Sequence, residues 1–255
     1  MMNGRGSTRR RWTIGLVILA ISLVTACDAL VGMDPFGTGG QGDPGVDDGD
    51  PGGDSTDAAD GGTLEGTISS DLTLERDTRY SVTGNVTVQA VLTVEPGAIL
   101  EFAADTRLLI DDAGVIRAIG TAGDPIVFRG ATQTAGFWLG VLVHSDDAQN
   151  RLEHVEILHT GSGAIGGQTG AVVLDGFKAG GLALVSVTIA TGAGHGLVVE
   201  DGATLFEFST GTLGDLADTP VMIVPDEVAK LDKASSFLST NADNRVEIDR
   251  FGSVN

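Results

Sequence analysis

The chain has one cysteine, Cys27, one tyrosine, Tyr80, and two tryptophans in 255 residues. A single thiol excludes an internal disulfide framework. Aromatic residues make up 5% of the sequence, too few for an extended stacking groove for sugars or bases. Basic side chains are equally scarce: Arg129, Arg151 and Lys178 are the only ones between Arg117 and Lys230. With a net charge of −20, nucleic acid is excluded as a partner. Polyanionic glycans would be repelled unless a cation such as Ca²⁺ bridged them. No phosphate loop, nucleotide fingerprint or nucleophile elbow is present, and no cofactor is expected. What the chain has in excess is glycine, 38 residues, together with 42% apolar residues. That combination suits a packed core with a turn every few residues and disfavours a helical fold.

The one long apolar run, Ile14 to Val24, follows Arg5, Arg9, Arg10 and Arg11 and ends in Val24-Thr25-Ala26-Cys27. It is too short for a comfortable bilayer span and reads as a secretory signal over residues 1–26. Removing its four arginines takes the net charge from −20 to −24. The end of the run resembles the lipobox of bacterial lipoproteins. This resemblance implies cleavage after Ala26 and a diacylglycerol on Cys27, the sole thiol, and hence a membrane anchor that does not span. Asp28 next to it resembles the inner-membrane retention signal of enterobacterial lipoproteins. From Asp28 to Thr63 there are nine Asp and eleven Gly and no Lys, Arg or His. Residues 27–63 therefore read as the lipidated cysteine and a disordered acidic tether that contributes nothing to folding. Asp47-Asp48-Gly49-Asp50 lacks the alternating ligands and closing Glu of an EF-hand, which leaves it part of that tether.

From residue 64 to 255 short apolar phrases recur. Gly170-Ala-Val-Val-Leu-Asp-Gly176 returns as Gly196-Leu-Val-Val-Glu-Asp-Gly202, with looser copies at Gly140 and Pro220, at spacings of 30, 26 and 24 residues. A second phrase interleaves with it at Val155 to Gly161, Val187 to Gly192 and Phe206 to Gly211. Strands recurring at this interval predict stacked coils, each hydrogen-bonded to the next about 4.8 Å along an axis. The expected fold is all-β, a right-handed parallel β-helix of roughly seven or eight coils with end caps. Leu72 to Tyr80 is expected at one end. At the other, a helix starting at Pro225 with Asp226 as N-cap precedes a last apolar layer of Phe237, Leu238, Val246 and Ile248.

Leu92-Thr-Val-Glu-Pro-Gly97, Ile116-Arg-Ala-Ile-Gly-Thr121 with Asp124-Pro-Ile-Val-Phe128, and Phe137-Trp-Leu-Gly-Val141 resemble successive coils of the pectin-lyase-like superfamily, in particular its envelope lipoproteins without a known activity. The resemblance covers Gly66 to Ile248. It implies the fold, while the scaffold carries lyases, hydrolases, adhesins and inert stalks alike.

Polygalacturonases of this superfold share the letters Gly194-His195-Gly196, and Asp146-Asp147 stands where their paired acids could. The flanking Asn-x-Asp and Arg-x-Lys of that family are missing, and a tight turn explains His195 without catalysis. Calcium-dependent lyases of the fold would need carboxylates on neighbouring coils. Asp175 and Asp201 fall at equivalent places in the phrase, although Asp before Gly is ordinary turn chemistry. His154 and Glu156, in the cluster Glu153, His154, Glu156 and His159, project together if Val155 and Ile157 point inward. Two ligands do not close a metal site. Trp138 is expected to pack at a coil corner.

Reading the phrase by columns puts Val141, Ala171, Leu197 and Val221 in the core beside Val143, Val173, Val199 and Ile223. Leu142, Val172, Val198 and Met222 then form an outward apolar ladder. A contiguous strip of that kind predicts a cover, supplied by a loop of the chain, a partner or a second copy. The functional expectation is a non-catalytic, lipid-anchored β-helix of the bacterial cell envelope, in the inner or outer membrane and facing the periplasm or the surface. It would serve structure or adhesion, bind a glycan or an envelope protein, or self-associate. The alternative is a polysaccharide lyase or glycoside hydrolase acting through Asp146, Asp147, Asp175 or His195.

Overall fold

The structure, a computed structural model, describes residues 58–249. The leader, Cys27 and the tether up to residue 57 lie outside the described residues. Among the described residues no helix is long and apolar enough to cross a membrane.

The chain forms a parallel β-helix with three strand-bearing faces. The first face stacks Leu72–Leu74, Val91–Val94, Val115–Ile119, Arg151–Glu153, Gly181–Val185 and Thr204–Ser209. The strand Thr78–Val88 is long enough to turn a corner, so its two halves begin the second and third faces. The second face continues through Ile99–Phe102, Ile126–Gly130, Val155–Leu158, Thr188–Gly192, Thr212–Leu216 and Ser236–Phe237. The third runs through Arg107–Ile110, Gly140–Val143, Gly170–Leu174, His195–Val199, Val221–Ile223 and Val246–Ile248. These two faces hold seven rungs each, and Ala59–Ile68 laid along both halves of Thr78–Val88 makes an eighth. That agrees with the expected number of coils.

Alternation decides which side chains enter the coil. Leu92, Val94, Leu100, Phe102, Ile116, Ala118, Ile126, Phe128, Val155 and Ile157 are buried, while the residues between them are more exposed. One large apolar core therefore runs the length of the stack, and burial at roughly 25 cal/mol per Å² is its main stabilising term. The corners require left-handed backbone. His154, Ser186 and Thr210 share one corner column with φ of 49°, 51° and 54°, and His159, Thr191 and Asp215 share another with φ of 69°, 56° and 54°. Each such residue costs about 1 kcal/mol that the stacked ladder must offset.

Four expectations are corrected, and the expected cover over the apolar strip is found. The first concerns the tether: the strand begins at Ala59, inside the segment assigned to it, and Ala59 N donates to Asp77 O at 3.2 Å. Its residues are almost all exposed, so main-chain pairing holds Ala59 to Thr63 where side-chain burial does not, and a search for apolar residues misses it.

The second concerns the third copy of the interleaved phrase. Thr204–Ser209 pairs with Gly181–Val185 on the first face, and the true third copy on the second face is Thr212–Leu216. Leu205, on that strand, is accordingly buried in the core.

The third is a slip of one residue. Val172 pairs with Val141 and Leu197, while Val173 pairs with Leu142 and Val198. Val172 and Leu174 therefore join the main core, and the outward ladder is Leu109, Leu142, Val173, Val198 and Met222. Gly140, Ala171 and Gly196 occupy one column because the next coil's carbonyl passes close by. A Cβ on Gly140 would lie 2.7 Å from Ala171 O, and one on Gly196 2.6 Å from Pro220 O. The column demands a small residue, and aligning glycine on glycine shifted the register.

The strip itself meets its expectation, the cover being the first of the three offered. The ladder is covered by the chain, through the loop 159–169, in which Ile165 exchanges backbone hydrogen bonds with Gln168 and packs with Leu139 over Leu142, Val173 and Val198. No apolar face is left there for a second copy.

The fourth concerns the ends. Pro225–Lys230 is a 3-10 helix without a side-chain cap, and Glu227 instead accepts from Leu205 N at 2.8 Å. Phe237 and Val246 pack on the core, whereas Leu238 and Ile248 stay exposed. Leu72–Leu74 is the opening rung of the first face, and the edge at that end of the second and third faces is Ala59–Ile68.

Candidate functional site

Two clusters of histidine and carboxylate form at opposite ends of the third-face strands. Both are made by stacking, since residues one coil apart come within side-chain reach whatever their separation in sequence.

At the trailing end of these strands the register places Gln89, Asp111, His144, Asp175 and Glu200 in one column. Gln89 Nε2 donates to Asp111 Oδ2 at 3.0 Å. His144 stands between two acids, with Nδ1 3.6 Å from Asp111 Oδ1 and Nε2 3.3 Å from Asp175 Oδ2. Lys178 adds its ammonium 3.1 Å from Asp112 Oδ2, and Asp112 holds that ammonium protonated to higher pH than usual. The Gln89 amide is the main cause that lowers the Asp111 pKa. Burial pushes Glu200 the other way, opposed by a hydrogen bond from Gly176 N and reinforced by the charge of Asp175. The column is thus a corner ladder with an ammonium, Lys178, beside it.

Asp175, named as an acid and as a calcium ligand, belongs to this ladder. Its Oδ1 also accepts from Lys178 N at 3.1 Å, closing its own turn. The same one-residue slip separates it from Asp201: Glu200 is its neighbour in the next coil, and Asp201 sits one place further on, exposed in the turn. The pairing of Asp175 with Asp201 on one ion is therefore corrected.

At the leading end, His195 opens its strand with a side chain only 11% exposed. Its Nδ1 lies 2.8 Å from Thr219 Oγ1 and its Nε2 3.6 Å from Asp218 Oδ2. Glu247, from the following coil, brings a carboxylate so that ligand atoms of His195, Asp218 and Glu247 all lie within 4.8 Å of one another. A cleft of about 420 Å³ lined by Thr219, Arg245, Val246, Glu247 and Ile248 adjoins them. The glycines around His195 have a packing reason, as a Cβ on Gly194 would fall 2.4 Å from Thr169 O.

The remaining candidates are placed elsewhere. Asp146 and Asp147 follow the trailing end of Gly140–Val143, at the other end of the face from His195. Asp147 accepts from Gln149 N at 2.8 Å and so caps its turn, while Asp146 is exposed. His154 and Glu156 do line one shallow cleft, of about 230 Å³, with Thr121, Pro125, Ser186 and Thr188. Neither cluster of three or more potential ligands found among the described residues includes them. His159 is buried at its corner, and burial, with the charge of Arg129, holds it neutral to lower pH than usual. Trp138 is fully buried, stacked on Phe102 at 3.8 Å between ring centres, with Nε1 donating to Leu158 O at 2.7 Å. Phe177, in the turn after Gly170–Leu174, stands 94% exposed.

Sequence reading missed Asp111, His144 and Glu200 as a column, and Asp218 and Glu247 as neighbours of His195. The signal existed in the repeat itself, since extending the phrase by one residue past each strand aligns Asp111, His144, Asp175 and Glu200 once the register is right. No curated protein and no solved structure matches the chain. Residues 66–172 match the family described as a pectate-lyase-like beta helix domain, and the parallel faces continue the same coils from there to Ile248.

Proposed function

We propose that the protein is an exported, lipid-anchored β-helix of the bacterial cell envelope, held to the membrane through Cys27 and working by binding rather than by catalysis. The observation that carries this reading is the use to which the nominated acids are put. Asp147 and Asp175 are hydrogen-bonded to their own turns, and His195 lies at the other end of the face from both. General acid and base catalysis needs two such groups around one bond. The apolar strip that favoured self-association is occupied by the chain's own loop. That leaves an acidic, polar surface as the binding face, suited to a glycan or an envelope protein.

The competing reading is a polysaccharide lyase or glycoside hydrolase. Incubation of the purified protein with uronate and neutral glycans, with and without Ca²⁺, is expected to give no cleavage above a heat-inactivated control. Turnover lost in Asp175→Ala or His195→Ala would establish the enzyme instead.

A further inference from the structure

We propose that His195, Asp218 and Glu247 form a binding site for a transition-metal dication of the zinc class. Three observations converge on it. The first is the state of the imidazole. Thr219 is buried, and its hydroxyl lies 3.5 Å from Val221 O and 2.8 Å from His195 Nδ1. A hydroxyl that donates to Val221 O accepts from Nδ1–H, so in the neutral imidazole the lone pair is on Nε2. That nitrogen faces Asp218 Oδ2 at 3.6 Å, so either a ring proton or a metal ion lies between the two. A ring nitrogen held in one tautomer through its other nitrogen is how metal-binding histidines are oriented.

The second observation is charge. The comparable cluster at the far end of the face, Asp111, Asp112 and His144, holds the ammonium of Lys178 at 3.1 Å from Asp112. At His195 no lysine or arginine forms an ion pair with Asp218 or Glu247 among the described residues. The nearby guanidinium of Arg245 is turned onto both oxygens of Asp243. Arg245 acts on Glu247 only through its charge, so two carboxylates and an imidazole nitrogen converge with no ammonium or guanidinium hydrogen-bonded to them among the described residues.

The third is access and ligand type. Asp218 and Glu247 are exposed and can close by side-chain rotation, and the adjoining cleft leaves a coordination position open. One nitrogen and two carboxylates suit Zn²⁺ and its neighbours, whereas Ca²⁺ takes oxygen ligands. The three ligands come from three successive coils, so a bound ion would staple the last rungs of the helix together.

Titration of the full chain, stripped of metal, with Zn²⁺ at pH 7.5 in a calorimeter tests the site. One saturable site is expected, retained in His144→Gln and lost in both His195→Gln and Asp218→Asn. Thr219→Val should weaken it about tenfold or more by releasing the tautomer. A binding isotherm unchanged by His195→Gln and Asp218→Asn, or no saturable binding at all, would overturn the proposal. Asp218 is exposed, so its variant reads the site even if His195→Gln disturbs the fold.

Discussion

Trp138→Ala is expected to lower stability by about 3–5 kcal/mol, the usual cost of emptying a large aromatic site in a packed core. The ring is fully buried and stacked on Phe102 with an interplanar angle of 10°, and Phe102 in turn meets Phe128 edge-on at 6.2 Å. The three rings span neighbouring parts of the core, so the cavity would be lined by side chains that β-helix stacking holds in place and that cannot collapse into it. Trp138→Phe keeps the stack and gives up the 2.7 Å bond to Leu158 O, and should cost only about 1–2 kcal/mol. For a domain of this size the alanine variant should melt roughly 10 °C or more below the parent. Thermal unfolding followed by circular dichroism reads both variants, and an unchanged melting temperature for Trp138→Ala would remove the aromatic stack from the account.

Asn150 predicts the second large effect. Its side chain is completely buried, accepting from Ile116 N at 3.0 Å and donating to Ser145 O at 3.1 Å and Gly181 O at 3.2 Å. It therefore ties three consecutive coils together at the corner that leads into the first face. Asn150→Ala leaves the Ile116 N–H and the Gly181 carbonyl without this partner, and about 1–3 kcal/mol is lost for each buried group left unpaired. Asn150→Asp should be worse, although it is nearly the same shape. The acceptor for Ile116 remains, but the two donors become an oxygen facing the Ser145 and Gly181 carbonyls, and a charge is placed in a fully buried site. Chemical denaturation should rank the parent above Asn150→Ala and Asn150→Ala above Asn150→Asp at pH 7. The reverse order of the two variants would mean that the side-chain amide is not used as a donor.

Repetition made the architecture legible. Short β-branched phrases at a fixed interval can bury both faces of a strand in one way only, by stacking on their own copies, and the number of rungs followed from the interval. Register was harder. Ala171 takes the place that glycine holds at Gly140 and Gly196, and a one-residue error exchanges core for surface along the whole strand. That error put Val172 outside and paired Asp175 with Asp201. Side chains that meet across coils were harder still, because loops of unequal length intervene. Asp111 and His144 are neighbours although 33 positions apart, and His144 and Asp175 although 31 apart. Asn150 gave no sign at all, since a single polar residue in a turn looks the same whether it is solvated or bonded to three coils. The edge strand at Ala59 was hidden for the opposite reason: its side chains carry no pattern, and its pairing is made by the backbone.

The lipid anchor proposed at Cys27 is tested most directly by fractionation of cells expressing the parent and Cys27→Ser. The parent is expected in the membrane fraction, with its mature amino terminus at a diacylated Cys27, and Cys27→Ser in the soluble fraction. A Cys27→Ser protein cleaved after Ala26 that still sediments with membranes would contradict the account.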